Sequence, residues 1–283
     1  MKISLKGFIL PKNQEQYSDC ADNYAFHQDN LRFAISDGVS RSFFPKIWSE
    51  ILVKQYVSKS DWEEQEFIDK CQKEWQQEID QIVQKPNVMY YIKNAYVKKV
   101  PACATFLGLQ ILQKQKEWIC EALGDTFLFF VPHNFQSFEE IQIVTNKPEP
   151  IEFDNYPDYW VSIGDKHKGT PKKLENQPLT EGTFYLMTDA LAEWVYKFKE
   201  EAFHKFSILQ NQSDFEQFIQ EAREKKEIND DDTTLMIIQI SEIENENMEF
   251  IVQDFYHPSN LQQNDNQFTI NKLDHTDDAV NQN

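Results

Sequence analysis

The hydrophobic pattern changes period several times along the chain, and each change predicts an element. Residues 3–10 alternate loosely, which predicts a first strand. After a polar stretch, Tyr24-Ala25-Phe26 and Leu31-Arg32-Phe33-Ala34-Ile35-Ser36 read as short strands, the second ending at Asp37-Gly38. From Ser42 the period shifts: Phe44, Ile47, Trp48, Ile51 and Leu52 fall at i, i+3, i+4, i+7 and i+8, one face of a helix. A longer helix is predicted from Trp62 to Val83, with Ile68, Cys71, Trp75, Ile79 and Ile82 on one stripe and carboxylates opposite. Pro86 ends it, because its ring cannot continue the hydrogen-bond ladder. A third, shorter helix covers 88–97.

Three strands follow in quick succession, Cys103–Leu112, Glu117–Leu123 and Thr126–Val131, the last two joined by the short hinge Gly124-Asp125. They predict an antiparallel meander. Residues 132–178 hold six of the eleven prolines and little periodicity, so an irregular excursion with short strands is expected there. Thr183–Thr188 predicts a strand stopping at Asp189. A helix follows, carrying Leu191, Trp194, Val195, Phe198 and Ala202 on one face. Ser213-Asp214-Phe215-Glu216 is a capping-box pattern opening another helix. Asp230-Asp231-Asp232-Thr233-Thr234 leads into a strand over Leu235–Ile240, with one more at Met248–Phe255. Ten of the 26 residues from Pro258 to Asn283 are Asn or Gln, a composition that buries too little apolar surface to offset its ordering entropy. The expected organisation is one domain over residues 1–257 and a disordered polar tail over 258–283. Strands and helices arriving in separate runs predict an α+β fold of antiparallel sheets with helices packed outside.

Composition narrows the function classes. The 283 residues carry 47 acidic and 28 basic side chains, a formal net charge of −19, and only three arginines, Arg32, Arg41 and Arg223. Such a surface repels a phosphate backbone, so nucleic acid is excluded as a partner. No window approaches the roughly 18 apolar residues of a membrane span, and the N-terminal segment lacks the h-region of a signal peptide, so a cytoplasmic protein without a membrane partner is expected. The four cysteines, Cys20, Cys71, Cys103 and Cys120, form no CxxC pair for zinc or redox work.

Several aspartates fall at the ends of apolar strands: Asp37 after Phe33–Ser36, Asp125 at the hinge, Asp189 after Phe184–Thr188 and Asp231 before Thr234–Ile240, with Asp22 just before another short strand. Each has an ordinary structural reading alone. Asp-Gly and Gly-Asp are hairpin chemistry, Thr188-Asp189 is what a helix N-cap looks like, and Asp230–Asp232 reads as a solvated turn. Together they suggest more. Carboxylates at adjacent ends of stacked sheets converge, and like charges in one site are costly unless a cation neutralises them. Oxygen donors without His or Cys select Mg²⁺ or Mn²⁺. No EF-hand loop is present to claim them.

The order of these motifs resembles that of the PPM-type (type 2C) metal-dependent serine/threonine protein phosphatases. Cys20-Ala21-Asp22-Asn23-Tyr24-Ala25 is similar to the family's first acidic motif, and Phe33-Ala34-Ile35-Ser36-Asp37-Gly38-Val39 to its apolar run ending in DG. Ala102-Cys103-Ala104-Thr105-Phe106 resembles its small-residue and threonine strand start, and Leu123-Gly124-Asp125-Thr126 its GDS motif. Phe184-Tyr185-Leu186-Met187-Thr188-Asp189-Ala190-Leu191 resembles the strand ending in SDG, and Asp231-Asp232-Thr233-Thr234-Leu235 the last acidic motif. The resemblance spans roughly residues 1–240. It implies a β-sandwich of two antiparallel sheets flanked by helix pairs, with a two-metal site of Mn²⁺ or Mg²⁺ at one end. Carried over, Asp37 bridges both metals and the Gly38 carbonyl helps hold one; Asp189 and Asp231 complete the other shell, and Asp22 acts directly or through water. Asp125, with Asp189, matches a loosely held third metal. Asp37, Asp189 and Asp231 are the implied catalytic set. The implied activity is hydrolysis of phosphoserine or phosphothreonine by a water that the two cations activate, within a signalling system that has a cognate serine/threonine kinase. No C-x5-R loop surrounds any cysteine, which counts against a Cys-dependent phosphatase.

The chain also departs from the pattern. Tyr17 stands where the family's phosphate-binding Arg lies, Ala21 replaces the Glu before the first Asp, Val39 a His after DG, Ala190 the Gly after Asp189, and Phe127 the Arg after GDS. Another cation is then needed for the phosphate, and Arg41 and Lys12 are the candidates, Arg41 being equally readable as a surface residue at a helix start. The alternative function is a catalytically weak or inactive regulator of the same fold that binds a partner protein.

Overall fold

The computed structural model describes residues 1–58, 64–154, 156–245 and 247–256. The expected tail over 258–283 and the Trp62 start of the second helix lie outside the described residues.

Three strands open the chain: β1 (Lys2–Leu10), β2 (Asn23–His27) and β3 (Arg32–Ser36). Helices α1 (Pro45–Ser58), α2 (Glu64–Val83) and α3 (Tyr90–Val97) follow. Where a meander is expected lie β4 (Cys103–Ala104), β5 (Phe106–Leu112), β6 (Glu117–Leu123) and β7 (Phe127–Pro132). The meander stops after β5 and β6: the Gly124-Asp125 hinge carries the chain from the sheet of β6 into the other sheet, where β7 pairs with its own neighbours. The expected single strand over Cys103–Leu112 is interrupted at Thr105, whose backbone N–H leaves the ladder to donate to the Asp37 carbonyl at 2.9 Å. The proline-rich excursion holds β8 (Gln142–Val144), β9 (Trp160–Val161) and β10 (Lys172–Pro178). Then come β11 (Gly182–Met187), α4 (Asp189–Phe198), α5 (Glu200–Ser207), α6 (Gln212–Glu224), β12 (Thr233–Ser241) and β13 (Glu249–Phe255).

Two expectations about the helices also need correction. The helical face running from Leu191 to Ala202 is shared by two helices, because Lys199 takes φ 49° and breaks the ladder between α4 and α5. The cap of α6 is Asn211 rather than Ser213: the Asn211 side-chain oxygen accepts from the Asp214 N–H at 3.0 Å, placing Ser213 inside the first turn.

The strands form two sheets, in the orders β13-β1-β12-β11-β7-β8 and β10-β6-β5-β3-β2, with β4 and β9 as a small third pair. All pairings are antiparallel but one, β13 lying parallel to β1 at the edge of the six-stranded sheet. Period-2 alternation sends alternate side chains to opposite faces, so each sheet buries two sets of residues. Ile3, Leu5, Phe33, Leu107, Trp118 and Phe184 pack in the core between the sheets. Phe8, Phe129, Tyr185 and Leu235, on the outer face of the six-stranded sheet, pack with Leu191, Phe203, Phe215 and Ile219 of α4–α6. Ala34 and Phe106, on the outer face of the five-stranded sheet, pack with Trp48, Leu52, Phe67 and Trp75 of α1 and α2. The result is an α+β sandwich with a helical layer on each outer face, as the clustering of strands and helices predicts.

Register then brings several strand ends together. Leu10 pairs with Thr233, Met187 with Leu235 and with Phe127, Asn23 with Ser36, and Phe106 with Leu123. Every strand-end aspartate singled out above therefore lies at one end of the sandwich.

Candidate functional site

The backbone at this end is tied together by short hydroxyl residues and close glycines. Asp37 follows β3, and its N–H donates to Thr105 Oγ1 at 3.1 Å while the Ser36 hydroxyl donates to the Thr105 carbonyl at 2.6 Å. Gly38 does not form a hairpin turn with it. It keeps an ordinary backbone, bridges Ala104 and donates its N–H to the Ala21 carbonyl at 3.2 Å. A Cβ there would stand 2.9 Å from the Ala21 oxygen and from Pro45, so only glycine lets the Asp22 loop, the Asp37 loop and the start of α1 meet this closely. Gly124 is the turn residue of the hinge, at φ +93°, and a Cβ would lie 2.5 Å from the Asp158 carbonyl. The turn is not that of a hairpin, because β6 and β7 lie in different sheets; it is the crossing point between them, and it leaves Asp125 buried.

Asp22 is fully enclosed, and its Oδ2 accepts from the Thr234 hydroxyl at 2.7 Å. Thr234 and Thr188 are joined in turn, Thr234 N–H donating to Thr188 Oγ1 at 3.1 Å. Asp189 is the first residue of α4. Thr188 holds the N-cap position without a side-chain cap bond, and Asp189 Oδ1 accepts from the adjacent Ala190 N–H at 2.7 Å. Asp231 and Asp232 differ sharply in role. Asp232 is buried and accepts from two backbone N–H groups, Lys12 at 3.0 Å and Ala21 at 2.8 Å, which pins the end of β1 to the Asp22 loop. Asp231 is half-buried and pairs with the Lys12 ammonium at 2.9 Å. Arg223 of α6 supports this loop from beneath, donating to the Pro11 carbonyl at 3.0 Å, to the Asp231 carbonyl and to Thr233 Oγ1 at 3.2 Å.

The electrostatics are those of crowded anions. Burial, then the Asp232 charge, pushes the Asp22 carboxyl well above the carboxylate range, against the Thr234 hydrogen bond. Desolvation, then Asp22, Asp189, Asp125 and Asp231, does the same to Asp37. Asp189 is pushed up to about 8 by burial and by Asp125 and Asp231. Asp125 rises to about 6 through burial, with the Lys147 ammonium opposing it. Four aspartates are thus held above their ordinary range, and the neighbours named for Asp37 and Asp189 are the other aspartates of the set.

Among the described residues three buried carboxylate oxygens have no hydrogen-bond partner: Asp22 Oδ1 and Asp125 Oδ1 of this set, and Glu121 Oε1, which has the Lys173 ammonium 3.5 Å away. Unpaired buried anionic oxygens are costly, and a hard divalent cation is the partner that all-oxygen donors suit. The donor chemistry therefore fits Mg²⁺ or Mn²⁺. The side-chain placement is more open: among the described residues, no three His, Cys, Asp or Glu side chains close around one point as they stand. Lys12 is the nearby cation instead. Burial opposes its charge, yet Asp231, Asp232 and Asp37 hold its pKa above the usual lysine value, and Nζ also donates to Ser40 Oγ at 2.8 Å. Arg41, next to Ser40, is exposed.

Tyr17 is turned to another task. Its hydroxyl donates to Glu216 Oε1 of α6 at 2.6 Å, and burial with that carboxylate raises its pKa. Sequence reasoning did not single out Thr188, Thr234, Asp232 or Arg223, which orient this end. The run Asp231-Asp232-Thr233-Thr234 carried the signal for two of them, since short hydroxyl and carboxylate side chains favour local backbone bonds.

No protein-family model matches the sequence, and no curated protein matches it. Solved structures do. The serine/threonine phosphatase Stp1 from Staphylococcus aureus matches at 13% identity over 84% of this chain and 94% of its own, with a TM-score of 0.53. A bacterial serine phosphatase matches at 13% identity over 84% and 97%, with a TM-score of 0.53. The photosystem II phosphatase PBCP matches at 12% identity over 84% and 99%, with a TM-score of 0.51. Among the described residues no helix is long and apolar enough to cross a membrane. The fold of this chain is that of the PPM-type serine/threonine phosphatases.

Proposed function

We propose that the chain is a metal-dependent phosphoric monoester hydrolase acting on phosphoserine or phosphothreonine in proteins. The observation that carries the reading is the convergence of Asp22, Asp37, Asp125 and Asp189 at one end of the sandwich, with raised carboxyl pKa values and two buried oxygens left without partners. Selection for stability alone does not gather like charges without compensation. A pair of Mn²⁺ or Mg²⁺ ions, when bound, supplies Lewis acidity that makes water nucleophilic at neutral pH and draws charge from the phosphoryl oxygens.

In this reading Asp37, Asp189 and Asp231 are the catalytic set. Asp37, on which the charges of Asp22, Asp189, Asp125 and Asp231 all act, would bridge the two ions, Gly38 would offer a backbone carbonyl, Asp22 would complete one side, and Asp125 with Asp189 would offer a weaker third position. The threonine hydroxyls orient the carboxylates, as outer-shell partners do in metal sites. Lys12 and Arg41 are the cations assigned to the phosphoryl group in place of the Arg that Tyr17 replaces. The phosphorylated protein substrate and the kinase that supplies it belong to the same proposal, as does a cytoplasmic, signalling role. Hydrolysis of p-nitrophenyl phosphate with and without Mn²⁺ tests the reading: turnover that needs the ion and disappears in Asp37→Asn supports it, and turnover unaffected by either rejects it.

A second reading rests on a different observation. The Lys12 ammonium sits directly on Asp231, Tyr17 is committed to Glu216, and no three carboxylates among the described residues close around one point. A partner-binding regulator of the same fold would tolerate all three. Such a protein would bind no Mn²⁺ in a calorimetric titration, whereas the hydrolase would bind at least two ions.

A further inference from the structure

The second unusual surface lies away from the aspartates, on the helical layer over the five-stranded sheet. From residue 81 to residue 116 the chain has six lysines and no Asp or Glu, although its net charge is −19. Four of these, Lys85, Lys93, Lys98 and Lys99, surround α3, all exposed and, among the described residues, without an ion-pair partner. Helix α3 itself is anomalous. None of its residues is buried, and it shows solvent Tyr90 at 83%, Tyr91 at 63% and Val97 at 77% exposure, with Met89 just before it at 60%. Scattered apolar residues on a surface are ordinary, but several on two turns of helix form a contiguous patch.

Beside this face is a groove of about 240 Å³, lined by Trp75 and Gln76 of α2, by Tyr96 and Val97 of α3, and by Phe43 and Ile163. Two features indicate what fits there. Trp75 is buried, yet its indole N–H has no acceptor. That N–H is itself enclosed, so Trp75 lends the groove an apolar wall rather than a donor. At its wall the Asp80 carboxylate is already engaged, accepting from Gln76 at 2.6 Å and from the Tyr96 hydroxyl at 2.7 Å.

We propose that the groove between α2 and α3 docks an acidic protein segment carrying one large apolar side chain. The apolar side chain fills the groove against Trp75, and the segment's acidic residues face the four lysines. Charge selects this occupant. At physiological salt the Debye length is about 8 Å, so a short segment feels the four lysines and the carboxylates of α2, of which Asp80 is already bonded to Gln76 and Tyr96, more than the acidic charge farther off. A second copy of the chain, or an anionic bilayer, would approach as an extended negative surface and meet the full acidic charge. The proposal is independent of the hydrolase reading, since none of these residues belongs to the aspartate end.

The test selects short random peptides displayed on phage against the full chain, with counter-selection on Lys98→Glu/Lys99→Glu. Enriched peptides are synthesised with a fluorophore and titrated by anisotropy. Acidic sequences sharing an aromatic or aliphatic anchor are expected, with binding weakened about ten-fold or more by K98E/K99E and by Val97→Asp, as loss of interface charges and anchors does. The Trp75 indole N–H resonance should move on binding. All the altered positions are exposed, so unchanged thermal unfolding verifies the variants' fold. No enrichment, basic or uncharged sequences, indifference to both variants, or an unmoved Trp75 resonance overturns the proposal. So does Val97-dependent self-association, or co-sedimentation with phosphatidylserine vesicles in place of peptide binding.

Discussion

Glu121 and the aspartate end are two ways of burying carboxylates, and their difference separates a compensated charge from an uncompensated group. Glu121, in β6, is buried and pushed up to about 8, as far as Asp189. Its partner is Lys173, 3.5 Å away, which also reaches Glu64 at 3.1 Å. Lys173 is its strongest charged neighbour and opposes the rise, although Glu64 and Glu175 add to it and Oε1 has no hydrogen-bond partner among the described residues. At the other end, Asp37 has Asp22, Asp189, Asp125 and Asp231 as its charged neighbours, and Lys12 and Lys147 touch only the margin. A raised pKa alone therefore marks nothing here. Mutual elevation among converging acids does.

Substitution at the two places should break the comparison most visibly. Asp37→Asn should reduce Mn²⁺-dependent hydrolysis of p-nitrophenyl phosphate by more than the roughly 10–100-fold that loss of an outer-shell partner costs. Glu121→Gln should leave the same rate unchanged. Equal losses in steady-state assays would mean that both carboxylates act only through the fold. Next in size is Thr234→Val, which removes the 2.7 Å hydroxyl bond to Asp22. Mn²⁺ affinity, read by calorimetry, should fall about 10–100-fold, while Lys12, Tyr17 and the helical layers keep their contacts.

Stability against pH sharpens the same contrast. Asp189 and Asp125 have folded pKa values of about 8 and about 6, above those of the unfolded chain. The folded protein then binds more protons than the unfolded one, so this stability is complete below the unfolded carboxylate range and is lost as pH rises through 6 to 8. Glu121 has the same sign, since its folded value of about 8 is also raised. Tm of the metal-free protein should fall between pH 5 and pH 8, and the fall should be shallower in Glu121→Gln. Mn²⁺ should raise Tm most at pH 8, where the ligands ionise most readily, because only the aspartate end gains a cation. A Tm that rises with pH in the metal-free protein would contradict the crowded-anion picture. The smallest effect expected is that of Arg41→Ala, a few-fold rise in phosphopeptide KM with turnover nearly unchanged. An unchanged KM would remove Arg41 from the phosphate site and leave Lys12 as the sole candidate.

Much of this architecture was legible because local patterns and tertiary demands agree. The alternation in Lys2–Leu10, the stripe through Ile68, Cys71, Trp75 and Ile79, and the strand Glu117–Leu123 appear where periodicity places them. Misreadings fell where a long-range bond or a local backbone turn overrides the hydrophobic pattern. Thr105 leaves its strand to hold Asp37, Lys199 breaks an otherwise continuous amphipathic face, and Asn211 rather than Ser213 takes the cap of α6. The parallel pairing of β13 with β1 is likewise a contact between chain ends that no window can display. At the site, the strand-end aspartates could be read in order along the chain. Their orienting partners could not. Arg223 reaches the Asp231 loop from another helix, and Tyr17 is bound to Glu216 nearly 200 positions away.

The central claim is that the aspartate end exists to hold divalent cations. Calorimetric titration of the full chain with Mn²⁺ near pH 7.5, repeated in two buffers of different ionisation enthalpy, tests it most directly. Two or more sites with net proton release, both lost in Asp37→Asn, are predicted, because protonated carboxyls must ionise to ligate. Absence of binding, or binding that survives Asp37→Asn without proton release, would contradict it.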